Sequence, residues 1–252
     1  MYPGLADSTD PHADPKQAGN SYQVVTVTNP GGYALHGWLF ANPGDHGTVL
    51  VLGGNAMNTS AAYAASKYLL GHGFRVLVFT YQGFGDNGGH ADVASVLGDA
   101  KAFYVYAQAS YKDEPIGFFG SSTGAVAALC LGAKESLSAI VADSAYNPKT
   151  IVADKRLWLA IPFESAFASG VPDDLDTSRC LQELHSTPVL FIHNRSDPMV
   201  PFAVGQRLAD EYRGPKEFVE TIKLPESQAH MSAQFDPAAQ QQILAFLEQH
   251  LH

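Results

Sequence analysis

The sequence of 252 residues is poor in basic side chains, with 15 lysines and arginines against 25 aspartates and glutamates, and its net charge at neutral pH is -10. A protein that binds the phosphate backbone of nucleic acid needs a basic surface. The charge balance therefore argues against nucleic acid as a partner. No stretch reaches 18 consecutive apolar residues, so we expect no transmembrane helix.

Cysteine is also scarce, and Cys130 and Cys180 are the only two. Their number and spacing match neither a disulfide framework nor a metal-binding motif, so we expect two buried, reduced thiols. The ten histidines include no H-E-x-x-H pattern, and no metal site is expected. No G-x-G-x-x-G follows an early strand with an acidic residue at the distance that a dinucleotide site requires, which disfavours a cofactor-dependent oxidoreductase. We expect no cofactor.

Residues 1–20 are rich in proline, aspartate and glycine and have neither the positive nor the apolar segment of a signal peptide. We expect a flexible leader, either of a cytoplasmic protein or of an exported protein whose signal peptide has been removed. Hydrophobic residues make up 46% of the chain and charged residues 16%, as in a globular protein. Residues 21–252 are therefore predicted to form one α/β domain.

Short β-rich runs alternate with helical stretches, and this order predicts a mostly parallel sheet with right-handed crossovers and helices on both faces. The first two runs flank Asn29-Pro30-Gly31-Gly32 and predict an antiparallel hairpin. The predicted strands cover residues 22–28, 34–40, 48–52, 75–80, 116–119, 139–142, 189–193 and 217–224. The predicted helices cover residues 60–71, 92–109, 125–129, 203–212 and 238–249.

Between residues 145 and 187 the alternation of strands and helices lapses. Residues 156–163 and Phe167 are strongly apolar, yet no further strand is needed there to complete the sheet. Ligands of open α/β sheets bind outside the carboxyl ends of the strands. We interpret the region as a small cap insertion that lines a pocket; ordinary packing or an oligomer contact is the alternative.

The clearest chemical motif follows the apolar run Ile116-Gly117-Phe118-Phe119, where the sequence G-S-S-T-G has Ser122 at its centre. The pattern G-x-S-x-G between a strand and a helix holds the serine hydroxyl clear of the sheet, with backbone N–H groups facing the position of an oxyanion. Side chains at Gly120 and Gly124 would collide in such a turn. The alternative is a turn without chemistry.

This motif resembles the nucleophile turn of the serine α/β hydrolases, and three further segments extend the resemblance over roughly residues 22–250. They are the glycine-rich loop 53–58, the loop Tyr81-Gln82-Gly83-Phe84-Gly85, and the segment 193–201, His-Asn-Arg-Ser-Asp-Pro-Met-Val-Pro, with a late Ala229-His230. The small-cap esterase, lysophospholipase and acyl-thioesterase branch is most similar. The resemblance implies the α/β-hydrolase fold and a triad ordered as nucleophile, acid and histidine.

In that order the sequence offers Ser122, Asp197 and His230. A serine hydroxyl needs an imidazole to take its proton, and the imidazole needs a carboxylate to orient it. His230 is the only late histidine in a loop of the required kind, residues 225–234; a surface histidine is the alternative. Asp197 directly follows a predicted strand, and its turn repeats the acid turn of the family. Asp143 also ends a strand and is the alternative acid.

The resemblance further implies two backbone N–H donors for the oxyanion, at Thr123 and at Asn55, with Ala56 as the next candidate after Asn55. Gly53 stands where the family usually has histidine, which leaves the rigidity of this loop open. Gln82 stands where arginine is more usual, so anchoring by arginine is missing. Tyr81 either lines the pocket or has a structural role.

The expected activity is hydrolysis of carboxylic esters or thioesters through an acyl-enzyme intermediate, with a small-molecule substrate as the partner. The apolar cap favours a hydrophobic acyl or aromatic group. Peptide or amide cleavage, acyl transfer to an acceptor other than water, and a non-catalytic binding role are the alternatives. The sequence does not predict the oligomeric state.

Overall fold

The structure is a computed structural model that describes residues 15–55, 57–151 and 170–252. Within these ranges eight strands form one sheet in the order β1-β2-β4-β3-β5-β6-β7-β8. The strands are β1 (Gln23–Thr28), β2 (Ala34–Phe40), β3 (Thr48–Leu52), β4 (Arg75–Phe79), β5 (Ile116–Ser121), β6 (Ala139–Asp143), β7 (Val189–His193) and β8 (Lys216–Glu220).

The β1–β2 and β2–β4 pairs are antiparallel and the other pairs are parallel. The predicted mostly parallel sheet with an antiparallel N-terminal hairpin is therefore confirmed. Strands β3, β5, β6 and β7 are buried along their whole length, because the sheet is covered on both faces.

The helices are α1 (Thr59–Ser66), α2 (Val96–Ser110), α3 (Thr123–Gly132), α4 (Thr177–Glu183), α5 (Phe202–Glu211), α6 (Glu226–Ala229) and α7 (Pro237–Leu251). Side chains of α2, α3, α4 and α5 contribute to the apolar core on one face of the sheet, and those of α1 and α7 to the core on the other face. No helix in the described part of the chain is both long and apolar enough to cross a membrane.

Polar side chains at the helix starts explain where several helices begin. The Asn58 side chain accepts a hydrogen bond from the N–H of Ala61 at the start of α1, and Asp236 accepts from Ala238 and Ala239 at the start of α7. Such caps satisfy N–H groups that have no partner inside the helix. Helix α1 ends at Ser66 and continues as a short 3₁₀ turn, so it is shorter than predicted.

Strand β8 ends at Glu220, four residues earlier than predicted. The N–H of Thr221 still donates to the His193 carbonyl at 3.2 Å, and from Ile222 onward side chains replace the ladder of backbone hydrogen bonds. The N–H of Ile222 donates to Asp236 Oδ2 at 2.8 Å, and Asn194 Nδ2 donates to the Ile222 carbonyl at 2.8 Å. The apolar pattern of the sequence does not reveal this exchange of partners.

The prediction of two reduced thiols is wrong, because Cys130 in α3 and Cys180 in α4 form a disulfide. The two residues are 50 positions apart in the sequence. Helix α4 packs against α3, and the two Cα atoms lie 4.9 Å apart. A pair brought together by helix packing alone leaves no signature in the sequence spacing. Residues 156–163 and Phe167, which gave the predicted cap its apolar character, lie outside the described residues.

Candidate active site

Ser122 lies on the tight turn between β5 and α3. Its backbone angles, φ 55° and ψ -115°, are strained for a residue with a side chain. Its N–H donates to the carbonyl of Asp143 at 2.8 Å, which fixes the turn to β6. A Cβ on Gly124 would lie 2.0 Å from the Leu52 carbonyl oxygen, and a Cβ on Gly120 would lie 2.2 Å from that of Gly124. Only glycine fits at these two positions, as predicted.

The structure brings Ser122, His230 and Asp197 into one chain of hydrogen bonds. His230 Nε2 lies 3.1 Å from Ser122 Oγ, and His230 Nδ1 lies 2.9 Å from Asp197 Oδ2. A carboxylate only accepts hydrogen bonds, so the Nδ1 that faces it carries the proton. Nε2 is then an acceptor for the serine hydroxyl. The arrangement can pass a proton from the serine to the imidazole, and the catalytic roles remain predictions.

Asp197 is held by the turn that follows β7. Its Oδ1 accepts the backbone N–H groups of Met199 at 2.8 Å and Val200 at 2.9 Å, and its side chain is fully buried. Burial acts to raise the pKa of Asp197, but the hydrogen bonds and the charge of His230, together with the two N–H groups, leave that pKa below its ordinary value. The carboxylate is therefore ionised at neutral pH.

His193, the last residue of β7, is a second imidazole near this carboxylate. Its Nε2 donates to the Val200 carbonyl at 2.9 Å and lies 3.6 Å from Asp197 Oδ2. Burial lowers the pKa of His193, so its ring is neutral at neutral pH and does not compete with His230 as a cation. His193 is not among the predicted site residues; its signal in the sequence is a histidine that ends an apolar strand four positions before Asp197.

His230 does not lie in a plain loop, although a loop was predicted over residues 225–234. It lies between α6 and a 3₁₀ turn, Ser232–Phe235. Met231 has a left-handed backbone with φ 55°, which separates the two short helical segments. Segments of four residues are too short to produce a helical pattern of apolar residues in the sequence.

The glycine-rich loop after β3 lies against Ser122. A Cβ on Gly54 would lie 3.2 Å from the Cβ of Ser122. The Gly53 carbonyl accepts the Tyr81 hydroxyl at 2.6 Å, and the Gly54 N–H donates to Met57 Sδ at 3.3 Å. These contacts fix the position of the loop, although Gly53 stands where the family usually has histidine. Tyr81 is fully buried, so its role here is structural.

The two predicted oxyanion donors belong to the residue after Ser122 and to the glycine-rich loop after β3. Thr123 is the first residue of α3, where N–H groups have no acceptor inside the helix. Its hydroxyl is hydrogen-bonded to the Tyr146 hydroxyl at 3.1 Å. Asn55 follows Gly54 in the glycine-rich loop. Ala56, the alternative donor, lies outside the described residues. The oxyanion roles of Asn55 and Thr123 remain predictions.

Gln82, which stands where the family usually has arginine, anchors the loop after β4 through polar contacts. Its N–H donates to Asp99 Oδ2 at 2.9 Å, its Oε1 accepts from Asn29 Nδ2 at 2.7 Å, and its Nε2 donates to the His90 carbonyl at 2.8 Å. This buried network joins the loop after β4 to α2 and to the turn of the N-terminal hairpin.

Asp143, the alternative acid, ends β6 and is buried. Its Oδ2 accepts the N–H of Ala233 at 3.2 Å and its Oδ1 accepts the hydroxyl of Ser144 at 3.2 Å. Burial raises the pKa of Asp143 to about 7 against the opposing effect of these hydrogen bonds. The hydrogen bond from His230 goes to Asp197, which favours Asp197 as the acid.

In the described ranges no group of three or more histidine, cysteine, aspartate or glutamate side chains is placed to hold a metal ion.

The sheet order, together with the serine turn and the neighbouring histidine and aspartate, defines an α/β hydrolase. Residues 44–169, half of the chain, match the family model described as serine aminopeptidase, S33. The chain is 30% identical over 200 residues to the uncharacterized protein Rv2307c of Mycobacterium tuberculosis, covering 77% of this chain and 69% of that protein. The chain belongs to this α/β-hydrolase family.

Two further proteins are similar in structure or sequence. The esterase Pf2001 of Pyrococcus furiosus superposes with a TM-score of 0.80 at 21% identity, covering 100% of this chain and 97% of that one. The lysophosphatidylserine lipase ABHD12 of Danio rerio is 24% identical over 185 residues, which is 66% of this chain and 47% of that protein. The structural likeness confirms the predicted α/β-hydrolase fold.

Proposed function

We propose that this chain is a serine hydrolase that cleaves carboxylic esters or thioesters through an acyl-Ser122 intermediate. The observation that carries the proposal is the hydrogen-bonded chain from Ser122 Oγ through His230 to Asp197, with distances of 3.1 and 2.9 Å. A serine hydroxyl is a weak nucleophile at neutral pH unless a neighbouring base takes its proton. The unprotonated Nε2 of His230 is such a base.

In the first half of the reaction, Ser122 Oγ attacks the carbonyl carbon of the substrate while its proton moves to His230 Nε2. The imidazolium that forms is stabilised by the buried Asp197 carboxylate. The bond to the alcohol or thiol leaving group then breaks, and the leaving group takes the proton from Nε2. The acyl group stays on Ser122.

The negative oxygen of the tetrahedral intermediate is stabilised by the backbone N–H groups of Thr123 and Asn55. Removal of one such donor typically costs about 2.7–4 kcal/mol of transition-state stabilisation. Thr123 begins α3, so the partial positive charge at the start of a helix adds to its effect.

In the second half, a water molecule gives a proton to His230 Nε2 and attacks the acyl carbon. The bond to Ser122 Oγ breaks, the proton returns to the serine, and the carboxylic acid leaves. The same imidazole therefore acts first as base and then as acid in each half of the cycle.

The substrate carries a hydrophobic acyl or aromatic group. The support is the apolar sequence of residues 156–163, which belong to the segment between β6 and α4 that is proposed to form the cap. The carboxyl ends of parallel strands, where this insertion starts, are where open α/β sheets bind ligands. The names esterase and lysophosphatidylserine lipase, carried by Pf2001 and ABHD12, agree with an ester substrate.

Cleavage of an amide or peptide is a second candidate function. It is favoured by the description of the matching family as serine aminopeptidase, S33. The same serine, histidine and aspartate serve either reaction, because both pass through an acyl-enzyme. Turnover of matched p-nitrophenyl esters, thioesters and p-nitroanilides, at several acyl chain lengths, ranks these substrate classes.

A fluorophosphonate probe tests the proposal at the nucleophile. The wild-type chain should be labelled, and Ser122→Ala should not. Ser121→Ala is the matched control, since it removes a hydroxyl from the adjacent residue and should leave labelling intact. Labelling that survives Ser122→Ala would refute the assignment. A wild-type chain that is neither labelled nor active on short-chain esters would instead have a binding function.

A further inference from the structure

The segment that carries His230 is held by two neighbouring residues at the end of β6. Ser144 Oγ accepts the backbone N–H of Met231 at 3.0 Å. Asp143 Oδ2 accepts the backbone N–H of Ala233 at 3.2 Å. Both hydrogen bonds reach across about 90 residues of sequence and fall within three residues of the catalytic imidazole.

The same two residues are fixed to the strands on both sides of β6. The carbonyl of Asp143 accepts the N–H of Ser122, and the N–H of Ser144 donates to the carbonyl of Ile192 in β7 at 2.9 Å. Their side chains are buried, and the Ser144 hydroxyl donates to Asp143 Oδ1 at 3.2 Å. The pair therefore connects the nucleophile turn, the strand before Asp197 and the histidine segment.

The histidine segment needs such support, because its own structure is weak. Helix α6 and the following 3₁₀ turn have four residues each, which is too short for a helix to be stable by itself. Met231 between them has φ 55°, a conformation that costs energy and persists only when its surroundings impose it. A buried hydroxyl that accepts the Met231 N–H is a contact of that kind.

We propose that the Ser144 hydroxyl and the Asp143 carboxyl are positioning residues that fix the His230 imidazole between Ser122 and Asp197. Neither side chain touches the substrate in this account; both act through the backbone of the histidine segment. The kinetic consequence rests on the proposed hydrolase function, whereas the positioning itself does not. A misplacement of about 1 Å costs on the order of 100-fold in rate.

Ser144→Ala tests the hydroxyl. Alanine keeps the Cβ, so the strain of the positive φ of Ser144 is unchanged. What is lost is the hydroxyl, with its hydrogen bonds from the Met231 N–H and to Asp143 Oδ1. Ser66→Ala is the matched control, because the Ser66 hydroxyl is also buried. Its hydrogen bonds among the described residues stay within its own helix, to the carbonyls of Ala62 at 2.7 Å and Tyr63 at 3.5 Å. Activity is expressed per mole of enzyme that a fluorophosphonate can titrate, which removes any unfolded fraction from the comparison.

Ser144→Ala is expected to lower kcat at least tenfold with KM within twofold, while Ser66→Ala stays near wild type. The carboxyl is tested with two variants of similar size. Asp143→Asn keeps an oxygen acceptor for the Ala233 N–H, and Asp143→Leu keeps none. Asp143→Asn should therefore be at least tenfold more active than Asp143→Leu. Equal activities in this pair would overturn the role of the carboxyl.

A readout independent of turnover is the hydrogen-bonded Nδ1 proton of His230, followed by ¹⁵N-edited NMR. Its low-field signal should broaden or disappear in Ser144→Ala and persist in Ser66→Ala. A signal and a kcat that are unchanged in Ser144→Ala would overturn the positioning role. If no chain, including wild type, hydrolyses any substrate but the NMR difference is present, the proposed function fails and the positioning role stands.

Discussion

Replacing Asp197 by asparagine exchanges one carboxylate oxygen of the proposed acid for an amide NH₂ group. The expected effect on activity follows from the hydrogen bonds of the two carboxylate oxygens. The N–H groups of Met199 and Val200 both donate to Oδ1, at 2.8 and 2.9 Å. In Asp197→Asn we expect the amide oxygen to accept the same two hydrogen bonds, from the N–H groups of Met199 and Val200. The amide nitrogen then takes the place of Oδ2, which lies 2.9 Å from His230 Nδ1.

An amide nitrogen donates hydrogen bonds, so Nδ1 must become the acceptor and the ring proton must move to Nε2. Nε2 can then no longer take the proton of Ser122. The wrong tautomer in a serine triad lowers kcat by about 10⁴, which corresponds to about 5.4 kcal/mol at 1.36 kcal/mol per decade. The fold should survive, because the two backbone hydrogen bonds to the side-chain oxygen are kept.

The assay is the initial rate of hydrolysis of a short-chain p-nitrophenyl ester. Fluorophosphonate titration gives the concentration of active sites in the wild type, and circular dichroism checks that the variant is folded. Asp143→Asn is the comparison, since it makes the same change at the alternative acid. Asp197→Asn should lose at least a hundredfold more activity than Asp143→Asn. The reverse ranking would exclude Asp197 as the acid and assign that role to Asp143.

Three further predictions concern stability. Because burial raises the pKa of Asp143 from 3.8 to about 7, the folded chain binds this proton more tightly than the unfolded chain, and this group lowers stability as pH rises from about 4 to 7, by up to about 4 kcal/mol. Asp143→Asn should therefore raise Tm relative to wild type more at pH 8 than at pH 5; a difference independent of pH would contradict this. Reduction of the Cys130–Cys180 disulfide should lower the free energy of unfolding by about 4 kcal/mol for a loop of 50 residues. Urea titrations with and without reductant measure the change, and identical midpoints would contradict the stabilisation. Gly124→Ala should destabilise the chain by about 3 kcal/mol or more, because its Cβ would lie 2.0 Å from a backbone oxygen, and a thermal melt close to that of wild type would disprove it.

Much of the sheet could be predicted from the sequence because its central strands are short apolar runs buried on both faces. Thr48–Leu52 and Val189–His193 have the predicted bounds, and the alternation of strands with helices gave the parallel pairing. The end of β8 could not be predicted, since the side chains of Asn194 and Asp236 replace the strand partner there. The disulfide between Cys130 and Cys180 depends on the packing of two helices and was missed for that reason.

The site residues could be predicted from the sequence because each follows a strand at the same edge of the sheet. The order of Ser122, Asp197 and His230 also matches a known family pattern. The contacts that hold these residues in place could not be predicted from the sequence. His193 contacts the acid turn, and Ser144 bonds to a backbone group 87 residues away. Such contacts between distant segments are set by tertiary packing and not by local patterns of residue type.

Acylation of Ser122 is tested most stringently by trapping the covalent intermediate. The chain is mixed with a p-nitrophenyl ester, quenched in acid during the burst of p-nitrophenol, digested and mapped by mass spectrometry. We expect one acyl group per chain, on the peptide that contains Ser122, and none in Ser122→Ala. Turnover of the ester with the acyl group on another residue, or with no acylated peptide at all under conditions of a full burst, would contradict it.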